Sequence, residues 1–167
     1  MSYAGKIFIT CIQCFNIKSM DTIGESDPYI KLNVGKLKSQ TKVVEDNANP
    51  YFNEQFVFDY EPSKEPHVLT MELWDKDAVG SDDYIGFVHV PFEEFLNAKG
   101  TRRIPFYSNK GELVGDGDFD IYYEAPTAPK FDPKISKHFA SAKVAVAPPV
   151  QTPVKQEASA EKSSGKK

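Results

Sequence analysis

Residues 69–86 read LTMELWDKDAVGSDDYIG, and they join an alternating segment, an acidic turn and a second apolar segment. In the first segment Leu69, Met71 and Leu73 alternate with polar neighbours, which is the period-two pattern of a half-buried β-strand. The turn that follows holds several aspartates around Gly80, and glycine permits a tight backbone path. We therefore predict a strand that ends in an acidic loop and is followed by further strand structure.

The same alternation recurs on both sides of this stretch, throughout the first 124 residues. The short apolar runs are separated by Gly, Asn, Asp and Pro, which is typical of an antiparallel β-sandwich or barrel. Residues 90–96 differ, because a proline near their start predicts one helical turn. The segments that carry the alternation most clearly are 30–34, 56–58, 69–73, 87–90 and 119–123.

The composition changes after Glu124. Residues 125–167 hold six of the twelve prolines, and eight lysines against three acidic residues, a net charge of +5. Such a segment cannot bury enough apolar surface to offset the entropy of ordering it. We therefore predict one domain over residues 1–124 and a disordered, basic tail over 125–167. The domain carries the negative charge, because the whole chain has a net charge of −4.

Charge and motifs exclude several classes of function. An acidic body argues against a nucleic-acid-binding protein, which presents a clustered basic face. No GxSxG motif, glycine-rich phosphate loop or zinc signature occurs, so we expect no enzyme. We expect a cytosolic monomer with only peripheral membrane contact, because no apolar run approaches about 18 residues and the N-terminus lacks the features of a signal peptide. Cys11 and Cys14 lie within a predicted strand and are expected to be small buried core residues.

Five aspartates fall in two groups, each at the end of a predicted strand. Like charges in one small volume raise one another's pKa and push the loops apart unless a cation is bound. Calcium takes 6–8 oxygen ligands in flexible geometry, whereas magnesium requires a smaller, rigid octahedron. If the two loops are neighbours in space, the sequence therefore predicts a calcium site. The aspartates are Asp21 and Asp27 in the first group, and Asp75, Asp77 and Asp83 in the second.

The second group does not fit an EF-hand. An EF-hand loop that began at Asp75 would put Val79 where an oxygen ligand is needed. It would also put Gly86 where a bidentate glutamate is required, and the flanking sequence is strand-like. The EF-hand is therefore excluded as the source of a calcium site.

Four blocks of the sequence resemble the C2 domains of synaptotagmins and of conventional protein kinase C, in their order and in their spacing. The resemblance covers about residues 3–124 and implies an eight-stranded antiparallel Greek-key β-sandwich with its calcium loops at one end. Because the first strand leads into the first calcium loop and residues 117–123 supply a last strand, it further implies the circularly permuted type II topology. The blocks are SDPYIKL (26–32), NPYFNEQFVF (49–58), WDKD (74–77) and DYIG (83–86).

The resemblance also implies roles for individual residues. The two groups of aspartates fall on the first and third calcium loops of the family, so all five family carboxylates are present. Met20 and Lys76 fall where the family adds main-chain carbonyl ligands. Gly80 stands where calcium-binding members often have a serine, so we expect two calcium ions. Asp82 and Asp83 are adjacent, but only Asp83 directly precedes Tyr84, as the family pattern requires. Asp83 is therefore expected to be the last ligand.

These expectations combine into an electrostatic switch. The calcium-free loops carry five negative charges and are repelled by an anionic leaflet, and two calcium ions nearly cancel that charge. We expect calcium-dependent docking on phospholipid that contains phosphatidylserine, at the inner face of the plasma membrane or on vesicles. Thr22, Ile23 and Val79 flank the ligands and are expected to contact the membrane, although exposed apolar residues also occur without such a role.

Two further sets of residues have both a functional and an ordinary interpretation. Four lysines lie where related domains bind phosphoinositide headgroups, but lysines on a strand can simply solubilise the sheet. One tail segment resembles the late-domain motif that recruits the ESCRT machinery, so the tail could recruit protein partners, but four residues match easily by chance. The lysines are Lys31, Lys36, Lys38 and Lys42, and the tail segment is Pro126, Thr127, Ala128 and Pro129.

Overall fold

The computed structural model describes residues 5–20, 22–61, 63–96 and 98–125. Within these ranges no helix is long and apolar enough to cross a membrane. The strands are β1 (Gly5–Phe15), β2 (Pro28–Val34), β3 (Leu37–Gln40), β4 (Tyr51–Tyr60), β5 (Val68–Asp75), β6 (Asp83–Pro91), β7 (Thr101–Tyr107) and β8 (Leu113–Glu124), with a short 3-10 helix at Phe92–Phe95 after β6.

All strand pairings are antiparallel, and the strands follow the order β3-β2-β5-β6-β7-β8-β1-β4. A single residue pair, Phe87 with Tyr107, joins β6 to β7, so the ladder divides into two four-stranded sheets that pack as a sandwich. The predicted eight-stranded sandwich is therefore confirmed. The type II order is also present, because β8 pairs with β1 and β1 leads directly into the first loop.

The alternation of β1 explains which of its residues enter the core from the sheet β7-β8-β1-β4. Ile7, Ile9 and Cys11 are fully buried, as period two requires. Cys14 is buried as well, although it is three residues from Cys11, because the pairing register shifts between Cys11 and Gln13. Both cysteines are free thiols, and burial raises their pKa, so they pack as neutral core residues.

An aromatic cluster closes one end of the sandwich. The rings of Tyr60, Phe92 and Tyr123 meet edge to face, with centroids 4.7 Å apart for Tyr60–Phe92 and 5.4 Å apart for the other two pairs. Such pairs contribute about 0.5–1.5 kcal/mol each beyond their buried area. This end of the molecule is therefore closed by aromatic packing, and Tyr60 Oη is also hydrogen-bonded to His67 Nδ1.

The opposite end of the sandwich carries the loops that matter for function, and we call it the loop end. Antiparallel pairing places the β1–β2, β3–β4 and β5–β6 connections together there. We name them loop 1 (residues 16–27), loop 2 (41–50) and loop 3 (76–82).

Candidate functional site

Strand register brings the two predicted groups of aspartates to one place. Pro28 at the start of β2 pairs with Asp75 at the end of β5, and Asp75 pairs with Asp83 at the start of β6. Asp27 precedes Pro28, so three of the predicted ligands stand on neighbouring strand ends. Asp21 lies outside the described residues. Loops 1 and 3 are thus neighbours, which is the condition on which the calcium prediction depends.

Asp75 is the innermost of these aspartates, with only 1% of its surface exposed. Its Oδ1 accepts a hydrogen bond from the main-chain N–H of Asp27 at 2.7 Å. Its Oδ2 is also buried, and no hydrogen-bond donor reaches it within the described part of the chain. A buried polar atom without a partner costs about 1–3 kcal/mol, and more when it is charged. This oxygen therefore needs a cation or another group that can satisfy it.

The chemistry of the donors fits a hard divalent cation, since the predicted ligands are carboxylate and carbonyl oxygens. Among the described residues, which leave out Asp21, no group of three or more His, Cys, Asp or Glu side chains stands close enough to hold a metal ion. The backbone register and the orphaned oxygen of Asp75 are therefore what mark this position. The main chain is tied together here as well, because Lys76 N–H donates to the carbonyl of Asp27 at 2.9 Å.

Loop 2 contributes a contact that the sequence did not reveal. The main-chain N–H of Asp46 donates to Asp27 Oδ1 at 2.7 Å, and Asp46 Oδ1 accepts from the N–H of Glu25 at 2.9 Å. Asp46 has a φ of 48°, in the left-handed region where Asp and Asn are enriched. An Asp–Asn pair between two predicted strands was the available signal, since these residues favour such turns.

Loop 3 is braced by Asp82 rather than by Asp83. Tyr29 Oη donates to Asp82 Oδ2 at 2.6 Å, the N–H of Asp77 donates to Asp82 Oδ1 at 3.2 Å, and the Lys76 ammonium lies 3.3 Å away. The hydrogen bond from Tyr29 is the main reason that the pKa of Asp82 falls below its usual value. Burial, and then the bond to Asp82, raise the pKa of Tyr29. Asp82 is thus occupied within the protein, while Asp83 stays exposed opposite Asp75.

The residues predicted to touch a membrane project from the same end. Ile23 in loop 1 is 90% exposed, and Val79 in loop 3 is 92% exposed. Thr22 is exposed beside Ile23, and Met20 keeps 43% of its surface exposed. Large apolar side chains at this level of exposure are free to enter an apolar phase.

The four predicted lysines do not form a uniform basic surface. Lys36, Lys38 and Lys42 are exposed or partly exposed, but the ammonium of Lys31 lies 3.9 Å from the centroid of a Trp74 ring. Glu72 stands opposite Lys31 in the β2–β5 ladder and accepts from Trp74 Nε1 at 3.0 Å. We call the surface that carries Lys31, Lys38 and Glu72 the lysine face. It is a shallow concavity of about 760 Å³.

The tail segment Pro126, Thr127, Ala128 and Pro129 lies outside the described residues, as does the whole of 126–167. Its interpretation as a partner-binding motif stays a prediction.

Known proteins resemble this chain over the region that forms the sandwich. The family model "C2 domain" matches residues 5–106. Multiple C2 and transmembrane domain-containing protein 1 of Mus musculus is 34% identical over 111 residues, which is 66% of this chain and 11% of that protein. The calcium-dependent lipid-binding protein of Arabidopsis thaliana is 39% identical over 101 residues, which is 60% of this chain and 19% of that protein. The match spans only a small part of either relative.

Solved structures resemble the fold. A C2 domain of plant Extended Synaptotagmin 1 superimposes with a TM-score of 0.66 at 20% identity, over 75% of this chain and 98% of that chain. Human GIVD cytosolic phospholipase A2 gives a TM-score of 0.64 at 27% identity, over 75% of this chain and 17% of that chain. At its identity the first of these likenesses bears on the fold alone.

Proposed function

The chain belongs to the C2 domain family, and from that premise we propose that it binds anionic phospholipid membranes in a calcium-dependent manner. The name of its Arabidopsis relative, a calcium-dependent lipid-binding protein, supports the same class of function. The observation that carries the proposal is the buried Oδ2 of Asp75, which has no hydrogen-bond partner in the described part of the chain. It lies at the point where β2, β5 and β6 bring the main chain of Asp27 and of Asp83 next to Asp75. An oxygen in this position stabilises the fold once a cation satisfies it.

The residues that would hold calcium come from loops 1 and 3 and their flanking strand ends. Bound calcium, with two ions proposed, supplies positive charge and coordination positions that lipid phosphate or carboxylate oxygens can fill. The ligands would be the side chains of Asp21, Asp27, Asp75, Asp77 and Asp83, and the main-chain carbonyls of Met20 and Lys76.

The loop end then acts through charge and through its apolar tips. Without a cation, the aspartates repel an anionic leaflet, and this repulsion disappears when their charge is neutralised. Ile23 and Val79 are exposed beside the proposed ligands, so they enter the interface as the loops approach the membrane. Thr22 can donate a hydrogen bond to a headgroup at the same depth.

The proposed setting follows from this mechanism. The protein is a non-catalytic, monomeric, cytoplasmic module, recruited peripherally to the inner face of the plasma membrane or to vesicles when calcium rises. Phosphatidylserine is the main proposed lipid, because it combines a phosphate with a carboxylate and is abundant in that leaflet. Lys36, Lys38 and Lys42 are proposed to add a weaker contact with phosphoinositides.

Vesicle sedimentation tests the proposal. The full chain is mixed with phosphatidylcholine vesicles, with or without phosphatidylserine, in calcium or in EGTA. The wild type is expected to sediment only with phosphatidylserine and calcium. Combined Asp75→Asn and Asp77→Asn should weaken this binding about 100-fold, because ligand charge sets calcium affinity.

A charge-matched control uses Asp59→Asn with Glu124→Gln. Both residues are exposed at the end of the sandwich opposite the loops, near Lys6. This variant changes the net charge by the same amount and should bind like the wild type. The proposal is wrong if EGTA leaves the wild-type binding unchanged, or if the control loses as much binding as the loop variant.

A further inference from the structure

Several hydrogen bonds join loop 2 to loop 1, and Asp46 makes the one that reaches the side chain of Asp27. We propose that Asp46 is a positioning residue for the calcium site, and that it acts by orienting the carboxylate of Asp27; the inference rests on the function proposed above. Asp46 is exposed and has no place among the proposed ligands. Its effect would therefore come through its contacts with loop 1.

The first contact restrains the Asp27 side chain. The N–H of Asp46 donates to Asp27 Oδ1 at 2.7 Å, so one carboxylate oxygen is held by loop 2. The N–H of Asp27 in turn donates to Asp75 Oδ1 at 2.7 Å. A chain of two hydrogen bonds thus runs from Asp46 through Asp27 to the buried Asp75, and it links loops 1 and 2 to the strand end that leads into loop 3.

The second contact holds the backbone of loop 1 just before Asp27. The side-chain Oδ1 of Asp46 accepts from the N–H of Glu25 at 2.9 Å. Glu25 Oε2 accepts from the N–H of Ala48 at 2.7 Å, so the attachment runs in both directions between the loops. Asp46 therefore engages loop 1 with a main-chain donor and a side-chain acceptor.

The backbone of Asp46 limits which residues can make both contacts. At φ 48° a residue with a β-carbon costs about 1–2 kcal/mol, and Asp, Asn and Gly are the types that occupy this region readily. Of these, Asp and Asn also keep the side-chain acceptor. The consequence is that the Asp27 carboxylate is ordered before any cation arrives, so less ordering entropy opposes binding.

Three substitutions at position 46 separate charge from position. Asp46→Asn keeps the left-handed conformation and the acceptor but removes the charge, so its calcium dissociation constant should stay within about twofold of the wild type. Asp46→Gly keeps the conformation and the N–H donor but loses the acceptor, and should weaken binding about threefold. Asp46→Ala loses the acceptor and strains the backbone, and should weaken binding about tenfold.

Asn53→Ala is the matched control. Asn53 also has a φ of 48° and is exposed, but it lies within β4 rather than in loop 2. Both alanine variants should lose similar stability, and only Asp46→Ala should change calcium binding. Should Asp46→Ala fail to fold, Asp46→Gly carries the test.

Two measurements on the full chain decide the matter. Calorimetric titration with calcium chloride gives the dissociation constants. Hydrogen exchange in EGTA reports the amides of Glu25 and Asp46 without any metal, and these should exchange faster in Asp46→Ala than in the wild type or Asp46→Asn.

Each outcome has one meaning. The inference is confirmed if Asn rescues both the affinity and the exchange protection that Ala loses. It is overturned if Asp46→Asn binds calcium as weakly as Asp46→Ala, since charge would then be the cause, or if Asp46→Ala binds like the wild type. A wild type that binds no calcium overturns the proposed function itself, and the positioning role falls with it.

Discussion

The loop end and the lysine face share the strands β2 and β5 but treat charge in opposite ways. At the loop end Asp75 Oδ2 is buried without a donor in the described part of the chain. On the lysine face the charge of Lys31 is met by the ring of Trp74, and Glu72 stands opposite it. The buried charge at the loop end therefore lacks a partner in the described part of the chain, whereas the charge on the lysine face is compensated by neighbouring residues. What distinguishes a ligand site is the charge that remains uncompensated, and the number of charged residues alone is a poor guide.

This difference has an energetic consequence. The carboxylate of Asp75 at the loop end lowers the stability of the calcium-free protein, because its buried oxygen loses its hydration without replacement. The ammonium of Lys31 on the lysine face raises stability, because a cation over an aromatic ring is favourable. Removing charge should therefore have opposite effects on stability in the two regions.

The largest effect is expected for Asp75→Asn. In EGTA this variant should be more stable than the wild type by about 1 kcal/mol, because a neutral amide costs less to bury than a carboxylate and still accepts from Asp27. In calcium the order should reverse, since a ligand at about 100 times its dissociation constant adds about 2.7 kcal/mol to the wild type alone. Urea unfolding in both conditions measures the two differences.

The control for this reversal is Asp59→Asn, which removes an exposed charge that pairs with Lys6 on the surface. Its stability relative to the wild type should be the same in calcium and in EGTA. If Asp75→Asn is less stable than the wild type in EGTA, Oδ2 is satisfied in solution and the contrast between the two regions fails.

A smaller effect is expected at the tips of the loop end. Ile23→Glu with Val79→Glu should weaken vesicle binding about tenfold in calcium, because two apolar contacts are lost and two negative charges are added at the interface. Stability should change by less than about 0.5 kcal/mol, since both side chains are exposed.

Gln55→Glu with Val57→Glu is the control for the tips, because both residues are exposed on β4, outside loops 1 and 3. It adds the same charge and should reduce vesicle binding less than the tip variant does. Equal losses in the two variants would mean that net charge alone governs docking, and that Ile23 and Val79 do not enter the interface.

Local patterns in the sequence were sufficient for the all-β class, because alternation at period two indicated most strands from their own residues. The eight-stranded sandwich and its type II order were predictable only through the family resemblance. The meeting of Asp27, Asp75 and Asp83 was also predictable, although only through the family resemblance, because strand register depends on pairing between distant segments.

Features that depend on main-chain geometry could not be predicted. The burial of Cys11 and Cys14 was predicted, but the register shift that allows both to face the core is not contained in a regular alternation. The contact of Asp46 with Asp27 is made by a backbone N–H whose direction depends on a left-handed residue. The residue type of a main-chain donor carries almost no information about its partner.

The smallest effect is expected on the lysine face, at Lys31. Lys31→Ala should lower stability by about 1 kcal/mol, because the ammonium 3.9 Å from the Trp74 ring is lost together with the packing of its stem. Vesicle binding should stay within about twofold of the wild type, since the charge of Lys31 is already engaged within the protein.

Lys38→Ala, at an exposed position of the same face, should show the converse. Its stability should be unchanged, and it should show a small loss of binding to phosphoinositide vesicles that disappears at high salt. If Lys31→Ala loses more binding than Lys38→Ala, the charge on this face is available to ligands and the two regions differ less than their contacts indicate.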